Sequence, residues 1–275
     1  MGYPNLKQSI WLLILFLLIS AALGVPIAIL GIIFDRSLHL SPYVLWLLTL
    51  ASFVLVVVYA KRRTDRTWCN ILLFNPVSWR LCLPLAVSIA GLWISISIVE
   101  SLVRYLIPVP EILVKAFRDL PDIDTPFVLA CYYLVVQTPL IEEVLFRGVI
   151  LIGLLTHYNR NRAIIWSAIL FALFHVNPWQ LPVGFILGIV LASWVVQTGS
   201  LLPAIAGHAL HNLLFLSVAR WEIFGPAEDF NTVVFLPWWL TVCGIALATI
   251  GLLWFSRMVT REKAKLETLA DQEPG

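Results

Sequence analysis

The stretch "PLIEEVLFRGVILIGLL", Pro139 to Leu155, is apolar except for Glu142, Glu143 and Arg147. A charge at the centre of a bilayer costs roughly 2.5–3.5 kcal/mol on insertion scales. Three ionisable side chains in one apolar run therefore need partners. If the run is helical, residues four apart share a face, so Glu143 stacks on Arg147, with the acid first, the favourable order. Glu142 has only Leu145 and Phe146 at the corresponding positions. It points about 100° away from the pair and needs a partner from another segment.

The surroundings explain why the setting is a membrane. Of 275 residues, 60% are hydrophobic and only 12% charged, against about 25% charged in soluble domains. The mean hydropathy is +0.92. A net charge of +2 argues against a nucleic-acid partner. Cys69, Cys82, Cys131 and Cys243 show no metal or redox spacing and read as small apolar fillers. The first apolar run is too long for a signal-peptide core and lacks a clear cleavage site, so it is expected to remain as a span.

Eight candidate spans lie near 8–34, 41–60, 79–107, 125–157, 162–176, 182–198, 201–218 and 234–257. The expected fold is all-α: a polytopic membrane protein of about eight transmembrane helices, with its site inside the bundle. The first span holds Pro26, where a bend is expected. Trp11, Trp46, Trp79, Trp179, Trp238 and Trp239 fall near span ends, as an aromatic belt would place them. The basic clusters "KRRTDR" (61–66) and "HYNRNR" (157–162) fall on one side. So does the tail with Arg257, Arg261, Lys263 and Lys265. The opposite loops, 108–124 and 219–233, are mixed or acidic. Both termini are thus expected in the cytoplasm of a multi-pass protein of the cell membrane.

Two later runs carry further polar groups. "FALFHVN" (171–177) sets Phe171 and His175 four apart. Glu142 precedes the 157–162 turn by about as many residues as His175 follows it, so an antiparallel hairpin brings both to one height, roughly 20 Å from the turn. "GHALHNLL" (207–214) sets His208 and Asn212 on one face, with His211 off to the side and read as structural. A carboxylate and an imidazole can activate water. A second imidazole and an amide can donate to a developing oxyanion. Glu142, His175 and His208 equally suit a zinc ion with an open position, and both readings stay open. Glu100 and Arg104 read as an interfacial ion pair, and His39 and His157 as solvated loop residues.

"EEVLFR", "FALFH" and "HALHN" resemble the EExxxR, FxxxH and HxxxN motifs of the CAAX-protease and bacteriocin-processing family of intramembrane endopeptidases, related to the type II CAAX prenyl protease. The motifs stand in family order within 140–215. The resemblance implies Glu142 as the water-activating carboxylate, His175 as its partner, His208 and Asn212 as oxyanion-stabilising groups, and Glu143–Arg147 as a structural pair. It also implies a membrane-associated peptide or protein substrate, cleaved in the bilayer. Both metal-dependent and metal-free glutamate chemistry are ascribed to the family, and no cofactor is assigned. The chain then divides into N-terminal spans and linker (1–124), a CAAX-protease-like core (125–218), and a last span with charged tail (219–275), all one integral membrane domain. Two rivals carry expectations of their own. A proton-coupled transporter should show internal repeats, and none is visible. A non-catalytic scaffold or immunity protein should have lost a motif residue, and none of the four is lost.

Overall fold

The computed structural model describes residues 2–34, 42–111, 126–221 and 233–270. His39 and most of the loops 108–124 and 219–233 lie outside them. Among the described residues there are nine helices and no strand.

Helix α1 (Leu6–Ile33) starts at Asn5, whose side chain accepts the Gln8 N–H at 3.0 Å while the Gln8 side chain accepts the Asn5 N–H at 2.8 Å. This reciprocal cap satisfies two of the donors that a helix start leaves free. The helix continues through Pro26. Helix α2 (Pro42–Arg62) ends on Lys61 and Arg62, which complement the negative end of its dipole. A short α3 (Cys69–Leu72) and a 3₁₀ turn (Trp79–Leu81) lead into α4 (Cys82–Leu106).

The segment quoted above lies in α5, residues 127–154. This helix is composite: α-helical over Phe127–Cys131, Thr138–Glu143 and Ile152–Leu154, and π-type over Tyr132–Gln137 and Val144–Leu151. Helix α6 (Arg160–Phe174) starts at Asn159, whose side chain accepts the Arg162 N–H. Helices α7 (Leu181–Thr198), α8 (Leu202–Arg220) and α9 (Trp238–Ala270) complete the bundle.

Among the described residues, six helical stretches are long and apolar enough to cross a membrane: Leu6–Ile33, Tyr43–Arg62, Trp79–Leu106, Leu181–Thr198, Leu202–Arg220 and Trp238–Lys265. The protein is a multi-pass membrane protein. The two further spans expected from the sequence correspond to α5 and α6. At 15 residues α6 is about 22 Å long, and α5 is divided among short α and π segments.

Small residues set the close contacts. Helices α4 and α9 pack on each other at Gly91, Gly244 and Gly251, where a Cβ would collide with the facing helix, at Gly251 with Ser88. Gly188 of α7 lies against Ala168 of α6, where a Cβ would meet the Ala168 Cα at 3.0 Å. Apolar matter fills the rest: Phe146, Phe171, Leu145, Ile150 and Trp194 are all but fully buried.

Two sequence expectations need correction. Trp79 and Trp238 are about three-quarters exposed, as a belt requires, but Trp46 and Trp179 are buried. Trp46 stacks on Tyr133 at 4.7 Å, and the Trp179 indole N–H donates to the Ile107 carbonyl at 2.6 Å. Both rings are drawn inward by specific partners. The cysteines do not fill the core either: Cys69, Cys82 and Cys243 are exposed and Cys131 is partly buried.

Candidate active site

A cavity of about 280 Å³ opens between α4, α5, α6, α7 and α8. Glu142 reaches it from α5, His175 from the C-terminal end of α6, and His208 and Asn212 from α8. The four residues proposed from the sequence are thus gathered on one cavity, as are His211 and Glu100.

The Glu143–Arg147 pair forms as its spacing requires. Arg147 Nη1 donates to Glu143 Oε1 at 2.9 Å, and both side chains are fully buried. Arg147 Nη2 donates to the Gly188 carbonyl at 3.2 Å, and the guanidinium lies 4.4 Å from the Phe171 ring centroid. The close approach of α7 at Gly188 brings that carbonyl within reach. Glu143 also takes a bond the sequence did not indicate: His208 Nδ1 lies 2.9 Å from the same Oε1. A carboxylate oxygen only accepts, so Nδ1 carries the proton and donates. This leaves His208 Nε2 facing Glu142, 4.0 Å from its Oε2.

His175 is fixed in the same manner. Its Nδ1 lies 2.9 Å from the Phe171 carbonyl, so Nδ1 donates and Nε2 is an open acceptor. Phe171 holds both imidazoles edge-on, with ring centroids at 5.0 Å to His175 and 5.6 Å to His208. The residue after His175, Val176, has φ +48°, a strained conformation for a β-branched residue. The expected direct bond between Glu142 and His175 is not made. The two line the cavity together, and His208 Nε2, 4.0 Å from Glu142 Oε2, is the imidazole nitrogen at ion-pair distance from it. Glu142 is 7% exposed, and its Oε2 has no hydrogen-bond partner.

Asn212 is held by a defect in α5. In the first π-type stretch the Thr138 N–H bonds to the Tyr133 carbonyl, five residues back. The next donor in that register would be residue 139, a proline without an N–H. The Leu134 carbonyl is thereby freed, and Asn212 Nδ2 donates to it at 2.8 Å. An amide has two N–H groups, so one remains for the cavity.

The zinc reading requires Glu142, His175 and His208 to act as one ligand set. Among the described residues no three His, Cys, Asp or Glu side chains converge as a ligand set. His208 Nδ1 and His175 Nδ1 are both engaged by the protein, which leaves their Nε2 atoms as the ones open to a ligand.

His211 and Glu100 are the residues sequence reasoning set aside. Taking His208 as zero on α8 and ~100° per residue, Asn212 falls near +40°, Phe215 near −20° and His211 near −60°. All four line the cavity. A wall of that width takes in His211, which a strict four-residue spacing excludes. Glu100 forms the expected pair with Arg104 at 2.7 Å, yet also borders the cavity.

Glu143, Arg147 and His208 form a buried cluster within a helical membrane protein, and His208 extends from it to the cavity that Glu142 also lines. Residues 124–214 match the family model described as Type II CAAX prenyl endopeptidase Rce1-like. The chain carries a domain of that family, within the CAAX-protease and bacteriocin-processing group. Neither the curated proteins nor the solved structures give a match.

Proposed function

We propose that the protein is an intramembrane endopeptidase that hydrolyses a peptide bond with water activated by Glu142. The observation that carries this reading is Glu142 Oε2, which makes no hydrogen bond and is buried on a cavity that also holds His175, His208 and Asn212. The substrate is a peptide segment at the membrane, a lipidated C-terminus or a leader peptide, as the family likeness supports. Residues 125–218 form the catalytic core, with 1–124 and 219–275 around it. Helices α5 and α6 bring the crossings to eight. Both termini are cytoplasmic, and the site lies in the inner half of the bilayer.

Water between Glu142 and His175 Nε2 gives its proton to Glu142 and attacks the scissile carbonyl. The oxyanion is met by the free N–H of Asn212 and by His208. Because His208 Nδ1 already donates to Glu143, its Nε2 can donate only from the imidazolium form. Glu143 is itself paired with Arg147. Removing one oxyanion donor is expected to cost about 10²–10³ in turnover.

The test is cleavage of a prenylated C-terminal peptide and of a leader peptide by purified wild type and Glu142→Gln. Wild type should cut at least one and the variant neither; equal turnover by the two proteins overturns the assignment.

A further inference from the structure

The cavity is built from one end of the bundle. Helix α4 lines it from Trp93 to Glu100, in its C-terminal half, and α7 lines it only with its first two turns, up to Leu187, and with Gln180 just before them. The contacts between helices make these ends the same end. His208 bonds to Glu143 and Asn212 to Leu134, so α8 runs against α5. Gly184 faces Ala172 and Gly188 faces Ala168, so α7 runs against α6. The Trp179 indole ties the α6–α7 loop to Ile107 at the end of α4. At ~1.5 Å per residue, Phe215 lies about 10 Å beyond His208, and Tyr133 about 13 Å beyond Glu142 in the same direction. Both line the cavity, and Gln180 and Phe215 are exposed.

The other end is sealed. Residues 66–75 run across the cytoplasmic ends proposed for α5 and the α7–α8 turn. Arg66 Nη2 donates to the Ile152 carbonyl at 2.9 Å, and Gly148 lies against the Ile71 carbonyl. Asn75 Nδ2 donates to the Gly199 carbonyl at 2.7 Å, and the Leu201 N–H donates to the Leu73 carbonyl at 2.9 Å. Above this strap Leu145, Ile150, Leu191 and Trp194 are at most 1% exposed, and a Cβ on Gly207, the residue before His208, would collide with Trp194. Side chains packed to this density leave no passage for a peptide. The basic clusters at 61–66 and 157–162 lie at this sealed end.

Resting on the endopeptidase reading and the orientation proposed with it, we infer that the substrate enters from the end of the bundle opposite the basic clusters, and so from the outer face of the membrane. Glu142 and His208 stand at the floor of a shaft whose rim, formed by Glu100, Tyr133, Gln180 and Phe215, faces outward. The substrate is therefore a leader-type segment that has already crossed the membrane, and not a lipidated C-terminus held on the cytoplasmic leaflet.

Single cysteines in the full-length protein test this. One protein keeps only the native Cys69, which is exposed at the sealed end; the other has no native cysteine and carries Gln180→Cys at the rim. Each is purified in detergent, coupled to a bulky polyethylene glycol maleimide, and compared with its own uncoupled form on the leader peptide of the assay above. Coupling at Gln180→Cys should abolish cleavage, and coupling at Cys69 should leave turnover unchanged. Loss at both positions, at neither, or at Cys69 alone overturns the entry route. In intact cells an impermeant maleimide added outside should inactivate the Gln180→Cys protein; if it inactivates only when added to inverted membranes, the substrate comes from the cytoplasm and the assignment to the outer face is overturned. Glu142→Gln, run in parallel, should be inactive. If it cuts as wild type does, the endopeptidase reading fails and the route with it, whereas its loss beside an unaffected coupled Gln180→Cys overturns the route alone.

Discussion

His208 Nδ1 and Arg147 Nη1 meet the same oxygen of Glu143, each at 2.9 Å, while the other oxygen of that carboxylate has no hydrogen-bond partner. One buried atom therefore sets both the position of a cation and the tautomer of an imidazole. The two adjacent glutamates differ in surroundings: Glu143 ties Arg147 and His208 together, and Glu142 lines the cavity proposed as the active site.

That division predicts two different losses. Glu143→Ala leaves Arg147 buried without its countercharge, and such losses run to about 3–5 kcal/mol. Thermal stability and yield should fall together with activity. Glu142→Gln should abolish cleavage with little change in stability. Unfolding in detergent and peptide turnover, measured on both variants, check this; an inactive Glu143→Ala as stable as wild type would reverse the roles.

Metal removal should have no effect. Asn212 provides an amide better suited to an oxyanion than to zinc, and no ligand set converges among the described residues. Activity should persist after chelation. Stoichiometric zinc in the purified protein, lost with activity and restored with it, would contradict the glutamate mechanism.

The proposed crossings can be read by labelling. In a background free of native cysteines, Arg160→Cys should be shielded from an impermeant thiol reagent added outside intact cells, and Val234→Cys should react. The opposite pattern would invert the orientation and move the site to the outer half of the bilayer.

Alkaline stability should depend on Tyr3, which precedes α1. Burial, followed by the neighbouring Tyr59, pushes its phenol up to about 12, against an opposing effect of Arg63. The phenol oxygen has no hydrogen-bond partner. The neutral form is the one the fold favours, so this contribution is complete below pH 10 and is lost between about pH 10 and 12 as the unfolded chain ionises first. Tyr3→Phe should flatten the fall in melting temperature across that window; an unchanged profile would show that the fold does not favour the neutral phenol.

What could be read in the sequence followed from local geometry. The Glu143–Arg147 and Glu100–Arg104 pairs are consequences of helical spacing, and both form. That Glu142 and His175 line one cavity accords with counting along a hairpin. His208 was different: its bond to Glu143 depends on how α8 seats against α5, which no spacing within either segment encodes. The π-type stretches of α5 carry no composition signal. Trp46 and Trp179 looked like belt residues because position along a span does not say whether a ring turns to lipid or to a partner.

The bond from Asn212 to the Leu134 carbonyl gives one side chain two duties, and the reason lies on another helix. Pro139 withholds a donor from α5, and Asn212 supplies it from α8. Substitutions at these two positions should therefore be epistatic. Giving residue 139 an N–H would relieve Asn212 of its duty to the backbone, so an exchange at 212 would be milder in a Pro139→Ala background than alone. The proline makes a residue of the proposed active site indispensable to the integrity of its neighbour, and so ties the evolution of one helix to that of the other.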